Sequence, residues 1–151
     1  MPHFTYLLIG GGMTADAATQ GIREVDPTGT IGLIGTEPVA PYNRPPLSKG
    51  LWKGDAPESI RRMATDHGVE MHLGRTAQEL DAAGKRVTDD AGTVYTYDKL
   101  LLATGGTPRR LPFGDDRILY FRTLADYRRL RALADQRRQF AIIGGGFIAS
   151  E

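Results

Sequence analysis

The sequence predicts an α/β fold, a parallel sheet entered through a strand, a glycine-rich turn and a helix. Three observations predict it. Residues 4–9 are almost wholly apolar and run into Gly10-Gly11-Gly12. A second short apolar run, residues 30–34, follows a helical pattern and a turn signal. Near the far end, residues 140–143 are again apolar and run into Gly144-Gly145-Gly146, repeating the opening.

A short apolar run stopped by glycine suits a strand buried on both faces of a parallel sheet. From Met13 to Val25 the pattern turns helical, with Ala17, Ala18, Ile22 and Val25 recurring at three- and four-residue spacing. Asp26-Pro27-Thr28-Gly29 signals the turn that ends this helix. The strand at 30–34 completes one βαβ unit. Residues 36–58 hold Pro38, Pro41, Pro45, Pro46, Gly50, Gly54 and Pro57, and predict an ordered loop in which Pro45 and Pro46 open a short helix continued by 47–52. A helix over 58–67 and a strand over 69–73 follow. Residues 85–88 and 93–97 flank Asp89-Asp90-Ala91-Gly92, a hairpin signal for a small antiparallel insertion. Residues 100–103 predict a further buried strand, halted by Thr104-Gly105-Gly106-Thr107-Pro108.

Pro112-Phe113-Gly114-Asp115-Asp116 marks a crossing between domains, which gives a first domain over 1–111 and the start of a second over 112–151. In the second, residues 123–136 predict an amphipathic helix with Leu124, Tyr127, Leu130 and Leu133 or Ala134 on one face. A strand is expected over 140–143. The chain stops at Glu151 before a following helix could complete two turns, so the expectation is a truncated second domain and a longer native protein.

Composition narrows the function. An apolar fraction of 40% and a charged fraction of 25% are those of a globular domain. A net charge of +1 leaves no electrostatic footprint for nucleic acid or a membrane. No apolar run reaches the length of a spanning helix, and the amino terminus lacks the parts of a secretory signal, so a cytoplasmic chain is expected. With no cysteine, these residues hold no disulfide, thiolate metal site or cysteine nucleophile. His3, His67 and His72 share no ligand spacing, and no metal is expected.

Gly10-x-Gly12-x-x-Ala15, set between a strand and a helix, fits a dinucleotide diphosphate. Gly10 permits the tight turn, Gly12 lets backbone approach the anion, and Ala15 keeps helix close to strand. Gly11, Met13 and Thr14 complete the turn and offer the exposed N–H groups of the helix start, where the dipole favours negative charge. Glu37 lies 25 positions beyond Gly12 (37 − 12), near the usual spacing for an acid that binds ribose hydroxyls. Gly144-x-Gly146-x-x-Ala149 repeats the motif 134 positions after Gly10 (144 − 10). Two such motifs suggest two dinucleotides, one held and one exchanged. The expectation is a Rossmann-like FAD-binding domain followed by a Rossmann-like NAD(P)-binding one.

Four blocks carry a resemblance: Leu7-Leu8-Ile9-Gly10-Gly11-Gly12, Pro41-Tyr42-Asn43-Arg44-Pro45-Pro46-Leu47-Ser48-Lys49, Leu101-Leu102-Ala103-Thr104-Gly105-Gly106-Thr107-Pro108-Arg109, and Ile142-Ile143-Gly144-Gly145-Gly146-Phe147. In this order they resemble the FAD- and NAD(P)H-dependent reductases of the ferredoxin and rubredoxin reductase type, above all their apoptosis-inducing-factor-like branch. The resemblance implies that Arg44 and Lys49 approach the flavin, with Lys49 near flavin N5 and paired to a glutamate matched by Glu151. Outside its block Lys49 would read as a solvated surface lysine. The resemblance further implies that Ala103, Thr104 and Gly105 pass close to FAD with Arg109 beside it, and that the backbone at Ala77 meets the adenine. The family often has an acid where this chain has Thr36, so ribose binding would rest on Glu37 and the Thr36 hydroxyl.

The dithiol flavoreductases need a cysteine pair where this chain has Tyr42 to Lys49, so electrons must leave for an external acceptor, an iron–sulfur or quinone-like partner or oxygen. The reading is an oxidoreductase that takes hydride from NADH or NADPH onto FAD and passes electrons to an iron–sulfur protein such as a ferredoxin or rubredoxin. A homodimer stays open. Two alternatives stand: an apoptosis-inducing-factor-like NADH-binding flavoprotein with a signalling or assembly role, and a non-catalytic nucleotide-binding fragment. The basic run Arg128, Arg129, Arg131, Arg137 and Arg138 reads as a solvated helix face, or as a dock for an acidic partner.

Overall fold

The computed structural model describes residues 1–62, 67–136, 139–146 and 150. The chain divides into two units, Met1–Asn43 with Arg61–Gly106, and Arg44–Ile60 with Thr107–Glu151. Among the described residues no helix is long and apolar enough to cross a membrane.

The first unit is a six-stranded sheet. Strand β1 (His3–Ile9) leads through helix α1 (Met13–Val25) to β2 (Ile31–Gly35), followed by β3 (Val69–Leu73), β4 (Ala77–Asp81), β5 (Arg86–Asp89) and β6 (Val94–Leu102). Their spatial order is β3-β2-β1-β6-β5-β4. Strand β1 lies parallel to both β2 and β6, and β2 parallel to β3, while β4, β5 and β6 form an antiparallel run. Parallel strands covered on both faces account for the unbroken apolar runs Leu7-Leu8-Ile9 and Ile31 to Ile34. Leu7, Ile9 and Ile34 pack with Phe4, Val87, Tyr95 and Tyr97 in one cluster, and Leu8, Ile31 and Leu33 with Ala15 in another.

The βαβ opening and the hairpin between β5 and β6 appear as expected. Several expectations need correction. The segments 93–97 and 100–103 form one strand, because Asp98 and Lys99 do not interrupt the ladder: β6 pairs with β5 through Val94 to Thr96 and with β1 from Thr96 to Leu102. Its end is also less covered than expected. Leu100 and Leu101 pack against opposite clusters, and Leu102 is exposed. The buried face of α1 carries Ala15, Asp16 and Thr19, whereas Ala17 and Val25 are exposed. Polar residues occupy that face because they are partnered there: the Thr19 hydroxyl donates to the Asp16 carbonyl at 2.7 Å, and Asp16 receives Arg62 and Gln20. Finally, among the described residues of the helix expected over 58–67, Pro57–Ile60 form a 3₁₀ turn, after which Arg61 bridges to Tyr42; residues 63–66 lie outside the described residues.

In the second unit, α2 (Leu124–Asp135) is capped by a reciprocal pair, the Thr123 hydroxyl taking the Asp126 N–H while the Asp126 carboxylate takes the Thr123 N–H. The proline-rich segment forms two 3₁₀ turns, Pro45–Ser48 and Gly50–Lys53, broken at Lys49. Tyr127 joins helix to segment: its hydroxyl donates to the Leu51 carbonyl at 3.2 Å and its ring meets Trp52 edge-on at 5.5 Å. Trp52 is thus a packing residue here, its Nε1 donating to the Leu47 carbonyl at 2.8 Å and Arg131 lying over its ring. The strand expected over 140–143 is not formed. These residues join no ladder among the described strands, and Ile142 and Ile143 are 72% and 66% exposed.

Candidate nucleotide site

The carboxyl ends of β1, β2 and β6 meet at one edge of the first unit's sheet. The Gly10 N–H donates to the Ile34 carbonyl and the Ala103 N–H to the Ile9 carbonyl, both at 2.8 Å. The segments that follow the three strands, Gly10-Gly11-Gly12, Thr36-Glu37 and Ala103-Thr104-Gly105, therefore leave the sheet side by side. The chain moves from β1 outward to β2 and β3 and later returns to the other side of β1 as β6. That reversal at the strand ends is the place where α/β sheets bind ligands.

Each glycine of the turn has a different task. Gly10 has φ of +121°, and a Cβ there would lie 2.1 Å from the Ala103 carbonyl oxygen, so only glycine fits. Gly11 packs on Gly35, where a Cβ would come within 3.2 Å of the Gly11 Cα. Gly12 is the opposite case: its φ is −101° and a Cβ would meet nothing within 4 Å. Among the described residues nothing demands a glycine at this position, and the space beside it is open. Gly12 caps α1 without a side chain, and the first helical bond runs from the Asp16 N–H to the Gly12 carbonyl at 3.2 Å. The N–H groups of Met13, Thr14 and Ala15 precede that bond and have no intrahelical acceptor. With the helix dipole they form an anion cradle, and Ala15, fully buried, lets the helix sit close to the strand.

Glu37 lies just past β2. Its Oε2 accepts from the Tyr42 hydroxyl at 2.6 Å, and Tyr42 is buried. Thr36 is exposed, and its hydroxyl takes that of Thr76 at 3.3 Å. The Arg75 N–H donates to the Gly35 carbonyl and the Gly74 N–H to the Glu37 carbonyl, which brings the stretch leading into Ala77 beside Glu37. Ala77 itself is half-buried against the cluster of Phe4 and Tyr95. Ala103 is half-buried, Thr104 and Gly105 are exposed, and Gly105 has φ of +69°.

The remaining expected residues lie in the second unit. Arg44 is half-buried and its Nη1 donates to the Arg122 carbonyl at 3.1 Å. Lys49 is exposed at the break between the two 3₁₀ turns, its N–H held by the Pro46 carbonyl. Arg109 is exposed. Gly144 has φ of +122°, matching Gly10, and the Ser150 N–H donates to the Gly146 carbonyl at 3.2 Å, matching Asp16 and Gly12. Glu151, Ala149, Arg137 and Arg138 lie outside the described residues.

Sequence reasoning missed Gly35, Tyr42, Asp16 and Arg62. A glycine inside a buried strand signals close backbone approach, which is the task of Gly35. The buried acid Asp16 carries no such signal, because its partner Arg62 lies 46 positions away.

The chain is 40% identical, over its whole length, to the 5,5'-dehydrodivanillate O-demethylase ferredoxin reductase subunit of Sphingobium sp. (strain NBRC 103272 / SYK-6), of which it covers 39%. It is 32% identical over 99% of its length to the putative apoptosis-inducing factor 1, mitochondrial, of Drosophila melanogaster, covering 25% of that protein. Among solved structures, the covalent putidaredoxin reductase–putidaredoxin complex matches 87% of the chain at a TM-score of 0.75 and 29% identity, with 34% of that chain covered. The chain thus spans well under half the length of these relatives, and its fold is the Rossmann-like α/β fold of FAD-binding reductases. The family model described as pyridine nucleotide-disulphide oxidoreductase matches residues 4–151, and the chain belongs to that family of FAD- and NAD(P)H-dependent oxidoreductases.

Proposed function

We propose that the chain is the FAD-binding part, with the opening of the NAD(P)-binding part near residue 112, of a reductase that oxidises NADH or NADPH and delivers electrons to an iron–sulfur carrier such as a ferredoxin or rubredoxin. The observation that carries this reading is the turn at Gly10-Gly11-Gly12, where Gly12 stands before open space and the N–H groups of Met13, Thr14 and Ala15 precede the first helical bond. Those groups would hold the FAD diphosphate. Glu37, fixed by Tyr42, would accept hydrogen bonds from the adenosine ribose, with the Thr36 hydroxyl beside it. Ala77, Ala103, Thr104 and Gly105 would line the cofactor with backbone. Arg44, Lys49 and Arg109 supply cations, which favour the diphosphate and a reduced, anionic flavin. Glu151 would orient Lys49, and Gly144 and Gly146 would receive the nicotinamide dinucleotide. FAD, when bound, supplies the acceptor that takes two electrons as hydride and gives them up singly.

The Sphingobium relative, a ferredoxin reductase subunit, and the reductase–putidaredoxin complex support an iron–sulfur partner. The absence of cysteine from these residues agrees with electrons leaving for an external protein. A cytoplasmic location and a homodimer belong to the same reading. The likeness to the Drosophila protein favours a second reading, an apoptosis-inducing-factor-like flavoprotein with a signalling or assembly role. Stopped-flow reduction of the full-length protein separates them. Fast flavin reduction by NADH with turnover on a ferredoxin supports the reductase. Slow reduction with a long-lived charge-transfer band supports the second reading. A full-length protein that stays colourless and cannot be reconstituted with FAD overturns both.

A further inference from the structure

The buried pair beneath the diphosphate turn has no part in the reading above. Asp16 sits in the first turn of α1 and is fully buried. Its Oδ2 accepts from Arg62 Nε and from Gln20 Nε2, the latter at 3.0 Å, while Oδ1 is buried without a partner among the described residues. An acid at a helix start gains from the dipole, but that gain is available at the surface. Burial adds a desolvation penalty that only a close cation offsets. It also sets a negative charge about 6 Å along the helix axis from Gly12 (four residues at 1.5 Å each), directly under a cradle built for an anion.

Arg62 answers both difficulties. Its Nε meets Asp16, its Nη1 donates to Asn43 Oδ1 at 2.7 Å, and its N–H donates to the Pro41 carbonyl at 3.0 Å. Arg61 beside it bridges to Tyr42, whose hydroxyl holds Glu37. One guanidinium therefore neutralises the acid under the diphosphate cradle and fastens the segment that orients the ribose acid.

We infer that Arg62 is a positioning residue for the adenosine diphosphate half of the cofactor, acting at one end by charge neutralisation of Asp16 and at the other through Asn43, Tyr42 and Glu37. The inference rests on the reading of the Gly10–Gly12 turn as the FAD site. Lysine cannot replace it fully, because a point-charge ammonium does not reproduce the planar fork that reaches Asp16 and Asn43 together.

The test uses the full-length protein, stripped of FAD, with FAD, ADP and adenosine as probes and unfolding temperature measured in parallel. Wild-type binding of FAD tests the reading of the turn first; if it is absent, that reading fails independently of Arg62. Arg62→Gln is expected to weaken FAD and ADP by roughly tenfold or more, since the Asp16 charge beneath the cradle is no longer offset. Adenosine, lacking the diphosphate, should lose much less. Asp16→Asn added to Arg62→Gln should restore the ratio of ADP to adenosine affinity, a recovery that lost packing would not give. If Arg62→Gln does not fold, Arg62→Lys carries the test, with FAD expected three- to tenfold weaker by the loss of one hydrogen bond to the fork. The inference is overturned if the folded variants bind FAD within twofold of wild type, or if ADP and adenosine weaken in equal proportion whatever stands at position 16.

Discussion

The two glycine turns have nearly the same backbone and opposite surroundings. Gly10 and Gly144 have φ of +121° and +122°, and each turn closes on an N–H to carbonyl bond of 3.2 Å, from Asp16 to Gly12 and from Ser150 to Gly146. Ahead of the first, Leu8 and Ile9 are buried between two parallel neighbours. Ahead of the second, Ile142 and Ile143 are exposed and pair with no described strand. The turn is thus a local property of the glycine spacing, whereas the strand comes from tertiary pairing. A motif specifies a conformation, and the sheet around it makes that conformation a site.

Substitutions can break this comparison. The largest effect is expected for Gly10→Ala, which forces a side chain both into positive φ and onto the Ala103 carbonyl. It should cost about 3 kcal/mol or more and abolish FAD binding, as read by chemical unfolding and flavin absorbance. Gly144→Ala forces a side chain into the same positive φ in the second turn. It should cost about 1–2 kcal/mol and raise the KM for NADH while FAD stays bound. Equal losses from both would erase the distinction between the turns.

Tyr42→Phe comes next. It removes a hydrogen bond to a carboxylate, worth about 1.5–3 kcal/mol, and should weaken FAD by tenfold or more in a titration, with a smaller loss of stability. Thr123→Ala in the second unit is the control: losing the cap of α2 should cost about 1 kcal/mol and leave FAD affinity unchanged.

The smallest effect lies at the hairpin between β5 and β6. Burial pushes the Asp89 carboxyl up, but N–H groups of Thr93 and Ala91 and the Tyr95 hydroxyl outweigh it and hold it below 3.8. Burial and the same hydrogen bond raise the Tyr95 phenol to about 12. A lowered carboxyl stabilises above its unfolded pKa and loses that contribution as pH falls through the folded value. A raised phenol stabilises below pH 10 and loses it as pH climbs towards 12. Unfolding curves should therefore show Asp89→Asn approaching wild type below about pH 4, and Tyr95→Phe approaching it at strongly alkaline pH.

Much of the fold was legible because short apolar runs between glycine and proline have few alternatives. The opening βαβ unit, the hairpin and the amphipathic helix after Thr123 all follow from local signals. What escaped was set by residues far apart in sequence. The buried face of α1 depends on Arg62 reaching Asp16, and the single long β6 depends on β1 continuing past Asp98. The candidate site shows the same split: Gly10, Gly12 and Glu37 were readable from spacing, while Tyr42 and Arg62 become visible only when the strands are paired.

Gly12→Ala tests the central claim most directly, because within the protein alone it should be almost silent. Its Cβ would meet nothing within 4 Å, and its φ of −101° suits any residue. In the full-length protein, the account predicts stability of the FAD-free form within about 1 kcal/mol of wild type together with at least a tenfold loss of FAD affinity, since the methyl group would occupy the space through which the diphosphate reaches the helix start. FAD bound as tightly by the variant as by wild type would contradict the placement of the diphosphate at this turn.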